Sequence, residues 1–422
     1  MDKIVVEGSR RLNGEIFVSG MKNSALPIIF SCILAKGDCV LDNIPRVSDV
    51  ENALEILRTM GAVAEFCSLH TVIINTDNLR DNIGSAHLVS KMRASSYLLG
   101  TMLSRFGGAE MPMPGGCNFG TRPIDLHLKG FEALGAECTV DNGIVRVRCN
   151  KKENYNKITL DKISVGATIN MVLASATREG VTIIENCARE PHVDDLMKFL
   201  NKCGARLYRY GNNIVCYGAS ELRGTSYVIF PDMIEALTYA MCVGICKGQI
   251  TVRGVNPAHL SCVLDVLEKM RFKVRVYNDC LCIGAEEIVG ACVETAPYPM
   301  FPTDLHPQLA ALLLFADGGG SICDNVFPTR FAYVQELKKM GAQIERIENK
   351  VIIDKSRLVG TSLDATDLRA GAALVLAGLG AEGKSTINNV EYIVRGYENM
   401  VGKIADIGGN IKLIKEINHG SN

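Results

Sequence analysis

Leu196-Met197-Lys198-Phe199-Leu200-Asn201-Lys202-Cys203-Gly204-Ala205-Arg206-Leu207-Tyr208-Arg209-Tyr210-Gly211-Asn212-Asn213-Ile214-Val215-Cys216-Tyr217-Gly218 decides how this chain folds, because it recurs in altered form along the sequence. Its first part spaces apolar side chains three and four apart, which is one face of a helix. Gly204 ends that helix, since a residue without Cβ takes the left-handed conformation past a helix C-terminus at least cost. Two short strands follow. Related phrases begin at Leu54, Phe131, Val263, Val334 and Val401, and Gly61, Gly135, Gly341 and Gly408 stand where Gly204 does. The copy from Val263 has Arg271-Phe272 instead and is the imperfect one.

A second phrase alternates with the first: an apolar helix, a Gly-containing stop and a short strand, as in the segment from Gly166 to Ala188. Its glycines Gly37, Gly108, Gly180, Gly248, Gly318 and Gly383 are 71, 72, 68, 70 and 65 residues apart, so one unit is repeated six times at near-constant length. One apolar helix and one amphipathic helix per unit place the first inside and the second outside. Six units exceed one core, which predicts three plus three. Residues 22–230 form the first expected domain, and residues 1–21 with 231–422 the second. Tyr227-Val228-Ile229-Phe230-Pro231 marks one crossing, and an N-terminal strand from Ile4 to Ile16 is expected to pair with the last domain. A stacked solenoid is the competing architecture. The length of the units and the unlike residues at their helix starts weigh against it.

Composition narrows the function. Of 422 residues, 47% are hydrophobic and 22% charged, which describes a globular chain. A formal net charge of −1 and the lack of a basic stripe with interleaved aromatics argue against a nucleic-acid partner. Met1-Asp2-Lys3 leads straight into Ile4-Val5-Val6 without a signal peptide, and apolar runs such as Leu309 to Ala316 are too short for a bilayer. A cytoplasmic protein without a membrane partner, a monomer or weak homo-oligomer, is expected. The 16 cysteines include no CxxC pair and no zinc pattern, so most read as small buried hydrophobes in a reduced compartment.

The apolar helices begin near Lys22-Asn23, Lys91-Met92-Arg93, Ser164-Val165-Gly166, Pro231-Asp232, Pro302-Thr303-Asp304 and Asp367-Leu368-Arg369. Helix N-termini present unpaired N–H groups and attract anions. Ser and Asp there are ordinary caps. Lys22, Arg93 and Arg369 are not, because a cation at that end is disfavoured, and they point to an external anion. The loop Pro112-Met113-Pro114-Gly115-Gly116-Cys117-Asn118-Phe119-Gly120-Thr121-Arg122-Pro123 is exposed by composition, and Cys117 is the one cysteine set in such a loop. Arg122 nearby favours its thiolate; an idle surface thiol is the alternative. Asp304 is the candidate base, or else a plain N-cap. His127 contacts ligand or only packs.

Taken together these motifs resemble the enolpyruvyl transferases, and within them the UDP-N-acetylglucosamine 1-carboxyvinyltransferases. The segments that carry the likeness, in order, are Ser19 to Pro27, Lys91 to Ser95, Pro114 to Cys117, Arg122 to His127, Asp161 to Thr168, Phe301 to Asp304, Asp367 to Ala370 and Arg395 to Glu398. The resemblance implies an inside-out α/β barrel of two three-unit domains with a ligand cleft between them. It implies addition of phosphoenolpyruvate to the sugar's 3-hydroxyl and elimination of phosphate, the first committed step of peptidoglycan synthesis, with no metal or organic cofactor.

By matching motif, Cys117 protonates the vinyl carbon and is the residue alkylated by fosfomycin, Asp304 takes the hydroxyl proton, and Lys22 and Asn23 complete the catalytic set, Asn23 contacting the tetrahedral intermediate. Lys22, Asn23, Arg93, Arg122, Arg369 and Arg395 hold phosphoenolpyruvate. Arg93, Arg122, Pro123, Asp125, Leu126, His127, Lys162, Ser164, Val165, Gly166, Asp304 and Val326 hold the sugar nucleotide. This sequence departs from the family at Met233, where Arg is usual, and at Pro328 and Val394, where acidic residues are usual. Those departures keep two alternatives in view: a paralogous enolpyruvyl transferase with another acceptor, and a non-catalytic regulator that binds UDP-sugar.

Overall fold

The computed structural model describes residues 2–9, 11–83, 85–115, 124–149 and 154–415. Among these the chain forms two compact units. One holds the residues up to Ser19 and those from Pro231 onward; the other holds the described residues between them.

The repeats become sheets of one design. Tyr155–Thr159 runs parallel to Val181–Glu185, and Asn213–Tyr217 and Arg206–Tyr210 follow antiparallel. Val289–Thr295, Asp317–Asp324, Lys350–Asp354 and Gln343–Ile347 repeat that order in the other unit. The sheet of Gly108–Pro112, Ile144–Cys149 and Ala136–Asp141 has three strands among the described residues. The N-terminal segment makes two strands rather than one. Lys3–Glu7 lies between Lys384–Asn388 and Ile411–Ile414, whereas Leu12–Phe17 runs parallel to Gly248–Arg253. It thereby joins two sheets of its unit.

The helix stops keep their geometry even where the sequence varies. Gly61, Gly135, Gly204, Gly341 and Gly408 have φ between +81° and +108°. In the imperfect copy Arg271 adopts φ +72°, so the turn survives without glycine. Such a conformation costs roughly 1–2 kcal/mol for a residue with a Cβ. In the second phrase Gly107, not Gly108, takes the positive φ.

The apolar helices are the inner ones. Met233–Cys246 is buried on every side and packs on His306–Leu313 and Leu368–Gly380, which also pack on each other. In the second unit Tyr97–Phe106 packs on both Lys22–Ser31 and Val165–Ser175. Gly100 permits the closest approach there, because a Cβ would lie 2.7 Å from the Asn170 carbonyl oxygen. The amphipathic helices Ser48–Thr59, Pro191–Lys202 and Ser261–Lys269 bury one face each. Each Leu, Ile or Val sealed in these cores contributes about 1.5–3 kcal/mol against its exposed state. Among the described residues no helix is long and apolar enough to cross a membrane.

Candidate active site

The N-termini of the inner helices carry the polar residues in both units, and the structure gives each a local cause. Asp232 and Asp367 cap Met233–Cys246 and Leu368–Gly380, each accepting from two backbone N–H groups. Ser164 caps Val165–Ser175 by accepting from the Ala167 N–H. Lys22 opens its helix beyond Met21, whose side chain makes no capping bond. The Lys22 ammonium is nonetheless paired: its Nζ lies 2.9 Å from Asp49 Oδ2, and both side chains are largely buried. Reasoning from the helix dipole pointed to an external anion, but Asp49 supplies a charge partner from within the chain.

One residue past Asn23, Ser24 is wholly buried. Its hydroxyl donates to Asp195 Oδ2 over 2.5 Å, and the Tyr227 hydroxyl donates to Asp195 Oδ1 over 2.6 Å. Burial raises the pKa of Asp195, partly offset by these two donors. Asp195 thus ties the helix that bears Lys22 and Asn23 to the segment leading to Pro231. Nothing in the linear spacing of residues 24, 195 and 227 announces this.

The predicted nucleotide-binding residues are partly gathered. His127, on Asp125–Ala133, is buried, and its Nδ1 accepts from Asn170 Nδ2 over 2.7 Å. A neutral ring bonded this way carries its proton on Nε2. Asn170 also donates to the Ser96 carbonyl and accepts from the Gly100 N–H, so it joins its own helix to Tyr97–Phe106 and Asp125–Ala133. Gly166 is glycine for a steric reason: a Cβ would lie 3.0 Å from His127 Cε1. His127 and Ser164-Val165-Gly166 are therefore neighbours, with Asn170 as the residue that sequence reasoning missed. Asp125 opens its helix at the exposed surface and Lys162 is exposed, while Leu126 and Arg93 are half-buried. Cys117, Arg122 and Pro123 lie outside the described residues.

In the other unit Asp304 is not a cap. Its Oδ1 accepts from Arg330 Nη1 over 2.8 Å and its Oδ2 from Arg369 Nη2 over 3.1 Å. The Asp304 side chain is 27% exposed, against 4% for Arg330 and 2% for Arg369, so the carboxylate can meet a ligand while its cations are sealed behind it. Burial alone would raise its pKa; the Arg369 and Arg330 charges overturn that and hold it well below the usual carboxylate range. Asp232 lies close enough to feel the same guanidinium; there burial wins and the pKa rises.

Arg369 Nε and Nη1 are buried and make no close hydrogen bond, although the guanidinium interacts with the Tyr397 hydroxyl. Its guanidinium stands 5.3 Å over the ring of Tyr397, whose hydroxyl bonds Thr238 and Gln308. Arg395, two residues before Tyr397, is half-buried. Val326 is placed by its N–H, which donates to Asp324 Oδ1. Arg330 was missed as a site residue, and its only sequence signal was a charge inside an otherwise apolar turn. Met233 is buried at its helix start, whereas Pro328 and Val394 are exposed. Below this cluster Glu235 is fully sealed and paired with Lys403 Nζ at 2.6 Å, and Ser19 bonds both.

Chemically, this unit offers a reachable carboxylate backed by two fixed cations. That suits an anionic ligand next to a hydroxyl that must lose a proton. Comparison with known proteins is consistent. Residues 6–404 match the family model of EPSP synthase (3-phosphoshikimate 1-carboxyvinyltransferase). UDP-N-acetylglucosamine 1-carboxyvinyltransferase 3 of Caldanaerobacter subterraneus subsp. tengcongensis is 42% identical over 99% of this chain and 100% of its own length. UDP-N-acetylglucosamine 1-carboxyvinyltransferase 1 of Streptococcus agalactiae is 41% identical over 99% and 100%. Among solved structures, the enolpyruvyl transferase NikO from Streptomyces tendae superposes with a TM-score of 0.88 at 25% identity, covering 98% of each chain. EPSP synthase from Acinetobacter baumannii gives 0.74 at 20% identity over 98% of this chain and 100% of its own, a likeness of fold.

Proposed function

This chain belongs to the EPSP synthase family of enolpyruvyl transferases, with the inside-out α/β barrel fold of that family, and on that premise we propose that it transfers the carboxyvinyl group of phosphoenolpyruvate to the 3-hydroxyl of UDP-N-acetylglucosamine. The acceptor follows from the relatives that bear that activity in their names and align with this chain from end to end. The observation that carries the chemistry is the Asp304 carboxylate, reachable from solvent and held between Arg330 and Arg369.

In addition, the sugar hydroxyl oxygen bonds to C2 of phosphoenolpyruvate, its proton passes to Asp304, and Cys117 delivers a proton to C3. In elimination, C3 returns a proton to the Cys117 thiolate, phosphate leaves C2 with the proton held by Asp304, and the double bond is restored. Asp304 is a poor base while both guanidinium groups hold its charge. A bound anion beside Asp304 offsets part of that positive field and makes the carboxylate more basic. Lys22, Asn23, Arg93, Arg122, Arg369 and Arg395 hold phosphoenolpyruvate. Arg93, Arg122, Pro123, Asp125, Leu126, His127, Lys162, Ser164, Val165, Gly166, Asp304 and Val326 hold the sugar nucleotide, with His127 acting from its Nε2 edge. The protein works in the cytoplasm, as a monomer or weak homo-oligomer, in the first committed step of peptidoglycan synthesis. Neither alternative gains support, since Met233, Pro328 and Val394 leave the Asp304–Arg330–Arg369 cluster in place.

Phosphate release measured with phosphoenolpyruvate and each of UDP-N-acetylglucosamine, UDP-glucose and shikimate 3-phosphate tests the reading. Turnover with UDP-N-acetylglucosamine above the others is expected. Preference for another acceptor overturns the substrate, and no release with any of them supports a binding role.

A further inference from the structure

Asp324 ends the strand Asp317–Asp324 and is fully buried. A buried carboxylate stays ionised only where donors satisfy it, and this one has five. Its Oδ2 accepts from Thr303 Oγ1 over 2.6 Å and from His306 Nδ1 over 3.1 Å. Its Oδ1 accepts from Thr295 Oγ1 over 2.7 Å and from the Val326 and Phe327 N–H groups, each over 2.9 Å. Behind it His306 is also fully buried, with its Nε2 2.6 Å from the Tyr333 hydroxyl and the ring of Phe331 edge-on at 4.9 Å. Burial lowers the pKa of His306 despite the carboxylate. The ring is neutral, gives its Nδ1 proton to Asp324 and accepts the Tyr333 proton at Nε2, because an ionised carboxylate can only accept.

Four of the five donors fall on two pieces of chain that meet at the proposed base. Thr303 directly precedes Asp304. The turn at Val326 and Phe327 leads to Arg330, whose N–H donates to the Phe327 carbonyl over 3.0 Å. Arg330 Nη1 then closes the circuit on Asp304 Oδ1 at 2.8 Å and the Thr303 carbonyl at 3.3 Å. We infer that Asp324 is a positioning residue: through Thr303 on one side and the Val326–Phe327 turn on the other, it fixes the Asp304 carboxylate against Arg330. His306 and Tyr333 are the strut that keeps Asp324 in place. This rests on Asp304 being the base.

Steady-state kinetics on Thr303→Val, Thr303→Ser, Asp324→Asn and Asp304→Asn test it, each variant being checked by thermal melting. Thr303→Val removes one hydroxyl and keeps the shape. It should lower kcat roughly ten- to hundredfold, the scale of a small misplacement, with each KM within about threefold of wild type. Thr303→Ser keeps the donor and should restore most of kcat. Asp324→Asn should lose more kcat than Thr303→Val; if that variant does not fold, the Thr303 pair carries the test alone. A folded Thr303→Val with wild-type kcat, or with its whole loss in KM, overturns the inference when Asp304→Asn is inactive. An active Asp304→Asn instead overturns the base, and the positioning role with it.

Discussion

Replacing Asp304 by Asn swaps one oxygen for an NH2 group where two guanidinium donors converge. Arg330 Nη1 and Arg369 Nη2 each meet one carboxylate oxygen now. The amide can accept from only one of them, and its own donors face the other. One charge-assisted bond is lost, worth about 1.5–3 kcal/mol. Two cations that are almost fully buried lose their shared counter-charge. Because Asp304 is partly exposed, water recovers some of this, and a net loss of about 2 kcal/mol at pH 7 follows. In a unit of this size each kcal/mol shifts the melting temperature by ~2–4 °C, so a drop of ~4–8 °C is expected.

The pH dependence has a definite sign. The folded carboxyl lies below its unfolded value of ~3.9, so its contribution is full above that pH and is lost as pH falls through the lower folded value. The gap between wild type and variant should be the same at pH 7 and pH 5 and should narrow below about pH 4. Turnover should fall about 10²–10⁴-fold, the usual share of a general base. Calorimetric melting across this pH range, together with phosphate release, reads both effects. An Asn variant that melts with wild type at pH 7 refutes the ion-pair argument, and one that keeps more than about a tenth of kcat refutes the base.

Lys22→Ala should weaken phosphoenolpyruvate binding at least about tenfold, one charge-assisted contact, and the sugar nucleotide less. Equal affinities by titration calorimetry would remove Lys22 from the phosphoenolpyruvate site. Cys117 should be alkylated by fosfomycin ahead of every other cysteine. Burial pushes the Cys138, Cys187 and Cys246 thiols up to about 12, and the exposed competitors among the described residues are Cys67 and Cys292. Peptide mass spectrometry after brief exposure decides, and faster labelling of Cys67 or Cys292 sinks the assignment. Cys117→Asp should keep turnover and escape the drug, since a carboxyl carries a proton but is the weaker nucleophile. Lys403→Ala leaves the sealed Glu235 carboxylate unpaired, a loss of about 3–5 kcal/mol. Burial already raises the pKa of Glu235, against the pull of Lys403, so the variant should recover stability as pH falls and the acid protonates. Melting temperatures equally depressed at pH 5 and pH 8 would contradict this.

The repeat, its two helix types and their stops are properties of local sequence. Apolar spacing and a left-handed stop residue act within one helix, so six copies read from Gly61, Gly204 or Gly341 became six helix ends of one geometry. Even Arg271 holds that geometry, because packing imposes on one copy what glycine permits in the others. The residue types at the inner helix starts were legible for the same reason, down to the caps at Ser164, Asp232 and Asp367.

Which charge meets which was not legible. Asp49 reaches Lys22, Asp195 joins Ser24 to Tyr227, Asn170 sets the tautomer of His127, and Arg330 turns Asp304 from a candidate cap into a clamped carboxylate. Each pair is brought together by segments 26 to 171 residues apart, and ion pairs and buried hydrogen bonds depend on distance in space and on exclusion of water. Pattern along the chain determines where helices start and what they offer. Only the packing of the repeats decides whether an offered charge meets a ligand or another side chain.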